Sequence, residues 1–311
     1  MIYVKIKGRL GNQLFYYAFA RKLQKNSNYG KIVIIPEDAE YDKFGGIGLL
    51  DFKVSNVEIG DRIILDFDQK CVYYAYQVLK KIIKKLNYKY LINFICKSQH
   101  FLNYMGIYNM EGYEICKIYN TKRKNIMVSG AWEIPKYFDD IKETIQSEIQ
   151  PNKEILPHNI ELASIIQESN AICLSIRKGD FLSKGNEKFN ICSDEYYYSG
   201  IKLICSKIPD AKIVVFSDDI NWCKNNLRLD GYDVLYENND GNDPVWEKLR
   251  LMSMCKYFVI ANSTFSWWAQ YLSEYTNKIV VAPRPWRNNE YCDCLYDSSF
   301  ILLDPRTGKI Q

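Results

Sequence analysis

In the second half of the chain three apolar runs end in short polar segments that hold the residue types needed to grip a phosphate leaving group. Arg177, in "CLSIRKGD", follows one such run, and its planar fork of donors suits a phosphate or pyrophosphate. Asp180 stands three residues on and could pair with Arg177 to fix its rotamer. In "ANSTFSWW" the side chains of Asn262, Ser263, Thr264 and Ser266, together with backbone N–H groups at a helix start, make a phosphate cradle, while Trp267 and Trp268 read as packing residues. "FSDD" ends its run at Ser217 and places Asp218 and Asp219 behind it, where an aspartate either caps the next helix or faces a ligand. Glu247 lies just upstream on a helical stretch, and a carboxylate there is a natural partner for the N1–H and N2–H₂ donors of guanine.

Such residues converge only if the runs are neighbouring parallel strands. The spacing predicts strands at 171–176, 212–217, 232–236, 257–261 and 278–283, with helical stretches at 193–208, 220–227, 245–255 and 264–275 between them. That alternation is the pattern of βαβ units, whose ligands sit beyond the carboxyl ends of the strands. The first half holds fewer clean strands, at 2–7, 31–36 and 125–130. The proline-bearing segment 150–159 reads as the boundary, giving domains 1–155 and 156–311.

Near the N-terminus "GRLGNQLFYYAFA" follows the first strand. A helix over 14–24 makes residues 8–13 a tight strand-to-helix turn in which Gly8 and Gly11 would let a ligand approach the backbone. The glycines do not spell G-x-G-x-x-G and no Walker lysine follows, so the segment alone reads equally as a structural turn.

The chain has 311 residues and 47% hydrophobic composition, enough for a substantial globular core. With 41 basic and 37 acidic residues and a formal charge of +4, its balance is too even to argue for nucleic acid, and no nucleic-acid partner is expected. Ten cysteines form no C-x-x-C pair, and His100 and His158 are the only histidines, so the cysteines read as mostly reduced, buried thiols of a cytoplasmic protein. No signal-peptide pattern and no membrane-spanning run are present in the sequence. From residue 71 to 110 there is no carboxylate, and Lys80, Lys81, Lys84, Lys85, Lys89 and Lys97 interleave with Val78, Leu79, Ile82, Ile83, Leu86, Tyr90 and Phe94. That spacing predicts a helix, apolar on one face and basic on the other, over 78–97. Its apolar face either packs on the core or lies on an anionic membrane surface, which would make the protein peripheral to the inner membrane.

"GRLGNQLFYYAFA", "SIRKGDF", "FSDD" and "VWEKLRLMSMCKYFVIANSTFSWWAQYL" occur in this order over nearly the whole chain, and together they resemble the bacterial α-1,2-fucosyltransferases, glycosyltransferase family 11. "GAWEIPKYF" at 130–138 also resembles a segment of that family. The resemblance implies an α/β, GT-B-like fold of two Rossmann-type domains facing a central cleft, with the acceptor side in 1–155 and the GDP-fucose side in 156–311. It implies transfer of L-fucose from GDP-β-L-fucose to a galactose 2-hydroxyl, with inversion and no required metal. A surface-glycan repeat unit on a lipid carrier is one galactose-terminated acceptor that fits, and a free oligosaccharide is another. In this reading Arg9, Gly11, Asn12 and Gln13 line the cleft opposite the donor and orient donor and acceptor. The family motif is commonly H-x-R-x-G-D; here Ser175 stands in the histidine's place, with Arg177, Gly179 and Asp180 retained. A serine can hydrogen-bond a phosphate or ribose but cannot act as a base near neutral pH.

Displacing GDP builds negative charge on the β-phosphate, which Arg177 and the helix start at 262–266 can offset. An inverting attack also needs an acceptor for the incoming hydroxyl's proton, and Asp180, Glu187, Asp218 and Glu247 are the candidates. Two rival readings stand beside this one. Asp66-Phe67-Asp68 is a literal D-x-D, which would mean a metal-dependent GT-A enzyme. The 25 tyrosines, six tryptophans and basic middle would suit a non-enzymatic carbohydrate- or nucleic-acid-binding module.

Overall fold

The computed structural model describes residues 1–27, 29–37, 46–86, 88–179, 189–288 and 292–311, without the side chains of 86, 88 and 89. It divides into two compact units, Met1–Leu50 with Val54–Ile145, and Asp51–Lys53 with Gln146–Gln311. The division precedes the proline-bearing segment read as a boundary. That segment is built into the second unit: Lys53 N donates to Gln150 O, Asn152 N donates to Asp51 O, and Phe52 and Pro151 form an antiparallel bridge.

The first unit contains β1 (Ile2–Ile6), α1 (Leu10–Lys25), β2 (Ile32–Pro36), β3 (Val57–Ile59), α2 (Phe67–Leu86), α3 (Tyr88–Tyr104), β4 (Ile107–Met110) and β5 (Ile126–Gly130). Its described strands form one sheet in the order β3-β2-β1-β5-β4, all pairs parallel. Central β1 is buried almost throughout, as a strand covered on both faces must be. Phe19 of α1 stacks on Trp132 at 3.6 Å between ring centroids, fixing the helix against the segment after β5. Helix α4 (Lys142–Glu148) carries the chain into the second unit.

There follow α5 (Ile160–Glu168), β6 (Asn170–Ile176), α6 (Asp194–Cys205), β7 (Ala211–Ser217), α7 (Ile220–Asn226), β8 (Asp233–Tyr236), α8 (Val245–Met254), β9 (Tyr257–Val259), α9 (Thr264–Leu272), β10 (Val280–Pro283) and β11 (Ile301–Leu303). The described strands form a second parallel sheet in the order β11-β10-β9-β6-β7-β8. All five strands expected here are present; β11 is an addition. The chain runs from β6 outward to β7 and β8, then returns to β9 on the other side of β6. The strand order therefore reverses between β6 and β9, which is where an open parallel sheet opens a crevice for a ligand. Gly200 lets α6 lie close over this part of the sheet, because a Cβ there would stand 2.8 Å from Val259 Cγ1.

Two expectations are corrected. The basic middle is two helices, α2 and α3, and most of its apolar stripe faces solvent: Val78, Leu79, Ile82 and Tyr90 are exposed. The cysteines are mostly free, as read, but less uniformly buried than expected, and Cys96 and Cys116 form a disulfide with Cα atoms 5.1 Å apart. Cys71 is exposed, whereas Cys173, Cys192, Cys223, Cys255 and Cys292 are buried thiols.

Candidate active site

Strand register brings Arg177 and Asp218 together. Ile176 pairs with Ser217 at the ends of β6 and β7, so the next residues leave the sheet side by side. Asp218 Oδ2 lies 3.4 Å from Arg177 Nε, an ion pair longer than a hydrogen bond, and both side chains are about one-fifth exposed, at 19% and 20%. Asp218 Oδ1 accepts from the backbone N–H of Lys178 at 2.9 Å and of Gly179 at 3.1 Å. One carboxylate thus holds both the arginine and the loop that carries it. Asp218 is a partner of Arg177 that the sequence reading did not name; Asp180, the partner it expected, and Glu187 lie outside the described residues. The adjacent Asp219 is the helix cap, accepting from Trp222 N at 2.8 Å at the start of α7.

Lys178, next to the arginine, is held on the other side. Its ammonium sits 4.4 Å from the centroid of Trp222 and 3.3 Å from Asp194 Oδ1, at the first turn of α6. Beneath Asp218, both backbone groups of Ser217 are fixed by a buried ion pair. Glu237 Oε1 accepts from Ser217 N at 2.6 Å, Lys248 Nζ donates to Ser217 O at 2.9 Å, and the two side chains meet at 3.0 Å. Burial pushes the Glu237 carboxyl up to about 7, against the opposing pull of Lys248. Ser217 itself is buried, and its hydroxyl accepts from Asp219 N at 3.0 Å, so it shapes the strand end from inside.

Glu247 does not present a free edge to a base. It is fully buried, its Oε1 accepts from Leu156 N at 2.8 Å and Asn159 Nδ2 at 3.2 Å, and its Oε2 lies 2.9 Å from Arg250 Nη1. That last contact is an ion pair without hydrogen-bond alignment. Neighbours on a helix point about 100° apart, so Lys248 reaches the end of β7 while Glu247 ties α8 to the segment before α5.

Across the crevice the segment after β9 splits into two roles. Ser263 and Thr264, at the start of α9, are half-buried and lie at the surface of the unit. Asn262 and Ser266 are buried. Asn262 Nδ2 donates to Phe189 O at 2.9 Å, and Ser266 Oγ is 2.6 Å from Ser175 Oγ. Ser175 is therefore a buried link from β6 to α9, its hydroxyl shared with that of Ser266. Trp267 and Trp268 are buried, as their reading as packing residues required.

In the first unit helix α1 begins at Leu10, so Gly11, Asn12 and Gln13 form its first turn and the expected turn over 8–13 shrinks to the residues before it. Gly8 takes φ +76°, and a Cβ there would stand 2.8 Å from Asn12 Nδ2. Gln13 does not project outward. It is buried, with Nε2 donating to Gly8 O and Gly46 O, each at 3.0 Å, and Oε1 accepting from Leu49 N at 3.3 Å. Arg9 occupies the cap position of α1, in extended conformation. Asp66 and Asp68 lie at the start of α2 as exposed partners of Arg123, with Asp66 Oδ2 3.4 Å and Asp68 Oδ2 2.5 Å from its guanidinium. The D-x-D pair is thus a helix-start ion cluster in a chain of two parallel sheets, which overturns the GT-A reading.

The geometry assembles one cation locked at a sheet's carboxyl edge and one helix start across the strand-order reversal from it, a pair suited to an anionic leaving group. Sequence reasoning missed Lys178, Glu237 and Lys248. Lys178, adjacent to Arg177, and Lys248, adjacent to Glu247, carried a signal, the second needing the helix's rotation to be read.

The model for "Glycosyl transferase family 11" matches residues 1–301. An "Alpha-1,2-colitosyltransferase" of Escherichia coli is 28% identical over 298 residues, covering 93% of this chain and 93% of that protein. The "O-antigen biosynthesis glycosyltransferase WbnK" of Escherichia coli is 28% identical over 302 residues, covering 92% and 94%. Among solved structures, fucosyltransferase NodZ from Bradyrhizobium aligns with a TM-score of 0.52 over 86% of this chain and 92% of its own, at 12% identity, a likeness of fold. The two parallel-sheet units and these alignments make the fold GT-B, and the family match makes the chain a glycosyltransferase: it belongs to glycosyl transferase family 11.

Proposed function

We propose that the chain moves L-fucose from GDP-β-L-fucose to the 2-hydroxyl of a galactoside in a surface glycan, with inversion and without a metal. The observation that carries this reading is Arg177, held by Asp218 at the carboxyl end of β6, beside the point where the strand order reverses. As the bond from the anomeric carbon to GDP breaks, charge grows on the β-phosphate. A guanidinium whose rotamer is already fixed meets that charge without reorganising, and the backbone N–H groups at the start of α9 add a second set of donors. Lys178 contributes to the field from beside Trp222. Asp218 and Glu247 are engaged by cations and N–H groups, which makes each a weaker candidate for the base. The proton of the acceptor hydroxyl passes to Asp180 or Glu187, or, late in a loose displacement, to a phosphate oxygen of the departing GDP.

The relatives named for α-1,2 transfer and for O-antigen synthesis support the linkage and the class of acceptor. One of them also favours a second donor. Colitose is fucose without its 3-hydroxyl, and a relative named for it, similar over nearly the whole chain, makes GDP-colitose the alternative. Incubation with each donor and a panel of galactose-terminated oligosaccharides, with the product linkage read by NMR, separates them. An α-1,2-fucosyl product at a rate at least about ten times that with GDP-colitose supports the first reading, and preference for GDP-colitose replaces it. No product from either donor rejects both.

A further inference from the structure

Helix α2 turns an apolar face to water along its whole described length. Phe67 is 83% exposed, Tyr74 67%, Val78 57% and Ile82 53%, and Cys71, Ala75 and Leu79 fill the same stripe at helical spacing. The opposite face does the packing. Gln69 is buried and bonds Met105 O and Asn125 O, and Tyr76 stacks on Phe94 of α3 at 5.5 Å. Because Gln69 at the start of α2 meets Met105 just past the end of α3, the two helices run antiparallel. Helix α3 adds the exposed aromatics Tyr90, Phe101 and Tyr104.

Charge says what this face fits. No carboxylate occurs from residue 71 to 110, and Glu111 is taken up by Lys80 at 3.7 Å and Lys84 at 2.9 Å. Lys70, Lys81 and Lys85 remain exposed along the stripe on α2, and Lys97 is exposed on α3. Asp66 and Asp68, the carboxylates at the start of the stripe, are engaged by Arg123, so a second copy would bring lysines to this face with no carboxylate left unpaired to meet them. An anionic headgroup layer over hydrocarbon answers both features at once, since apolar residues enter the acyl boundary while lysines stay with the phosphates. No described helix is long and apolar enough to cross a membrane, so the contact lies in the plane of the surface.

We propose that the outward face of α2 is a docking surface for a bilayer containing anionic phospholipid, with Phe67, Tyr74, Val78 and Ile82 entering the interface and Lys70, Lys81 and Lys85 meeting its headgroups. The proposal stands independently of the donor, and it would bring the enzyme to the surface where a lipid-linked acceptor resides.

Co-sedimentation of the full chain with vesicles tests it. Vesicles with about 30% phosphatidylglycerol should capture the chain at low salt, pure phosphatidylcholine should capture at least about ten times less, and about 0.5 M NaCl should release it. The doubly substituted chains Val78→Ser/Ile82→Ser and Lys81→Glu/Lys85→Glu should each lower capture at least about tenfold with unchanged melting temperature and GDP affinity, because these side chains are exposed. Failure of anionic vesicles to capture the wild type overturns the proposal, as does capture that neither double variant weakens. A concentration-dependent dimer that Val78→Ser/Ile82→Ser abolishes, without vesicle capture, would assign the face to a second copy instead.

Discussion

Asp218 faces Arg177 across 3.4 Å and, with its other oxygen, holds the two backbone N–H groups that follow the arginine. Loop and guanidinium are therefore set by one carboxylate reached through strand register. Removing its charge while keeping its shape should loosen the arginine. Asp218→Asn retains an acceptor for Lys178 N and Gly179 N, so turnover should fall about tenfold or more with a melting temperature close to wild type. Unchanged turnover would mean that the ion pair does not position Arg177 for the reaction.

The buried pair beneath that contact makes a pH signature. Glu237 is raised in the folded state to about 7, mainly by burial, from an ordinary value of 4.5. The folded chain therefore binds this proton more tightly than the unfolded chain, and stability is lost as pH rises from about 4.5 to about 7, then levels off. Glu237→Gln cannot titrate. Between pH 5 and 8 the melting temperature of the variant should gain on that of the wild type, and a constant difference across that range would contradict the assignment.

Ser175 and Ser266 share a buried hydroxyl contact of 2.6 Å away from the crevice surface. Ser175→Ala should cost about 1 kcal/mol of stability, or about 2–4 °C, and leave turnover within about threefold of wild type. A loss of turnover of about 10² without a change in melting temperature would place the hydroxyl on the substrate.

Much of the second unit was legible because β6, β7 and β10 are continuous apolar runs separated by strong helix signals. Strands β3 and β11, at three residues each and only partly buried, offered no period to read. At the site, sequence distance hid one contact: Asp218 is forty-one residues from Arg177, yet lies against it because β6 and β7 pair in register. Helical periodicity located the apolar stripe of α2 but could not say which way it faced. That depended on Tyr76 and Gln69 finding partners on α3 and the segments beyond it. Gln13 was misread for a related reason, since its partners at Gly46 and Leu49 lie more than thirty residues away, with |i−j| of 33 and 36.

The proposed reading, in which Arg177 and the helix-start donors offset the pyrophosphate charge, predicts insensitivity to chelation. Transfer in excess EDTA should proceed at the rate of the untreated enzyme. Loss of activity that Mn²⁺ restores would show that a divalent ion carries the pyrophosphate charge.

Arg177→Lys tests the account most directly, with transfer rate, GDP affinity and melting temperature measured on the same preparation. Lysine keeps the charge but not the fork of donors. Turnover should fall by about 10² or more, GDP affinity should fall less, and the melting temperature should be unchanged, as when one preorganised transition-state donor is lost from an intact fold. Near-normal transfer by the lysine variant would contradict the placement of the leaving group at the end of β6.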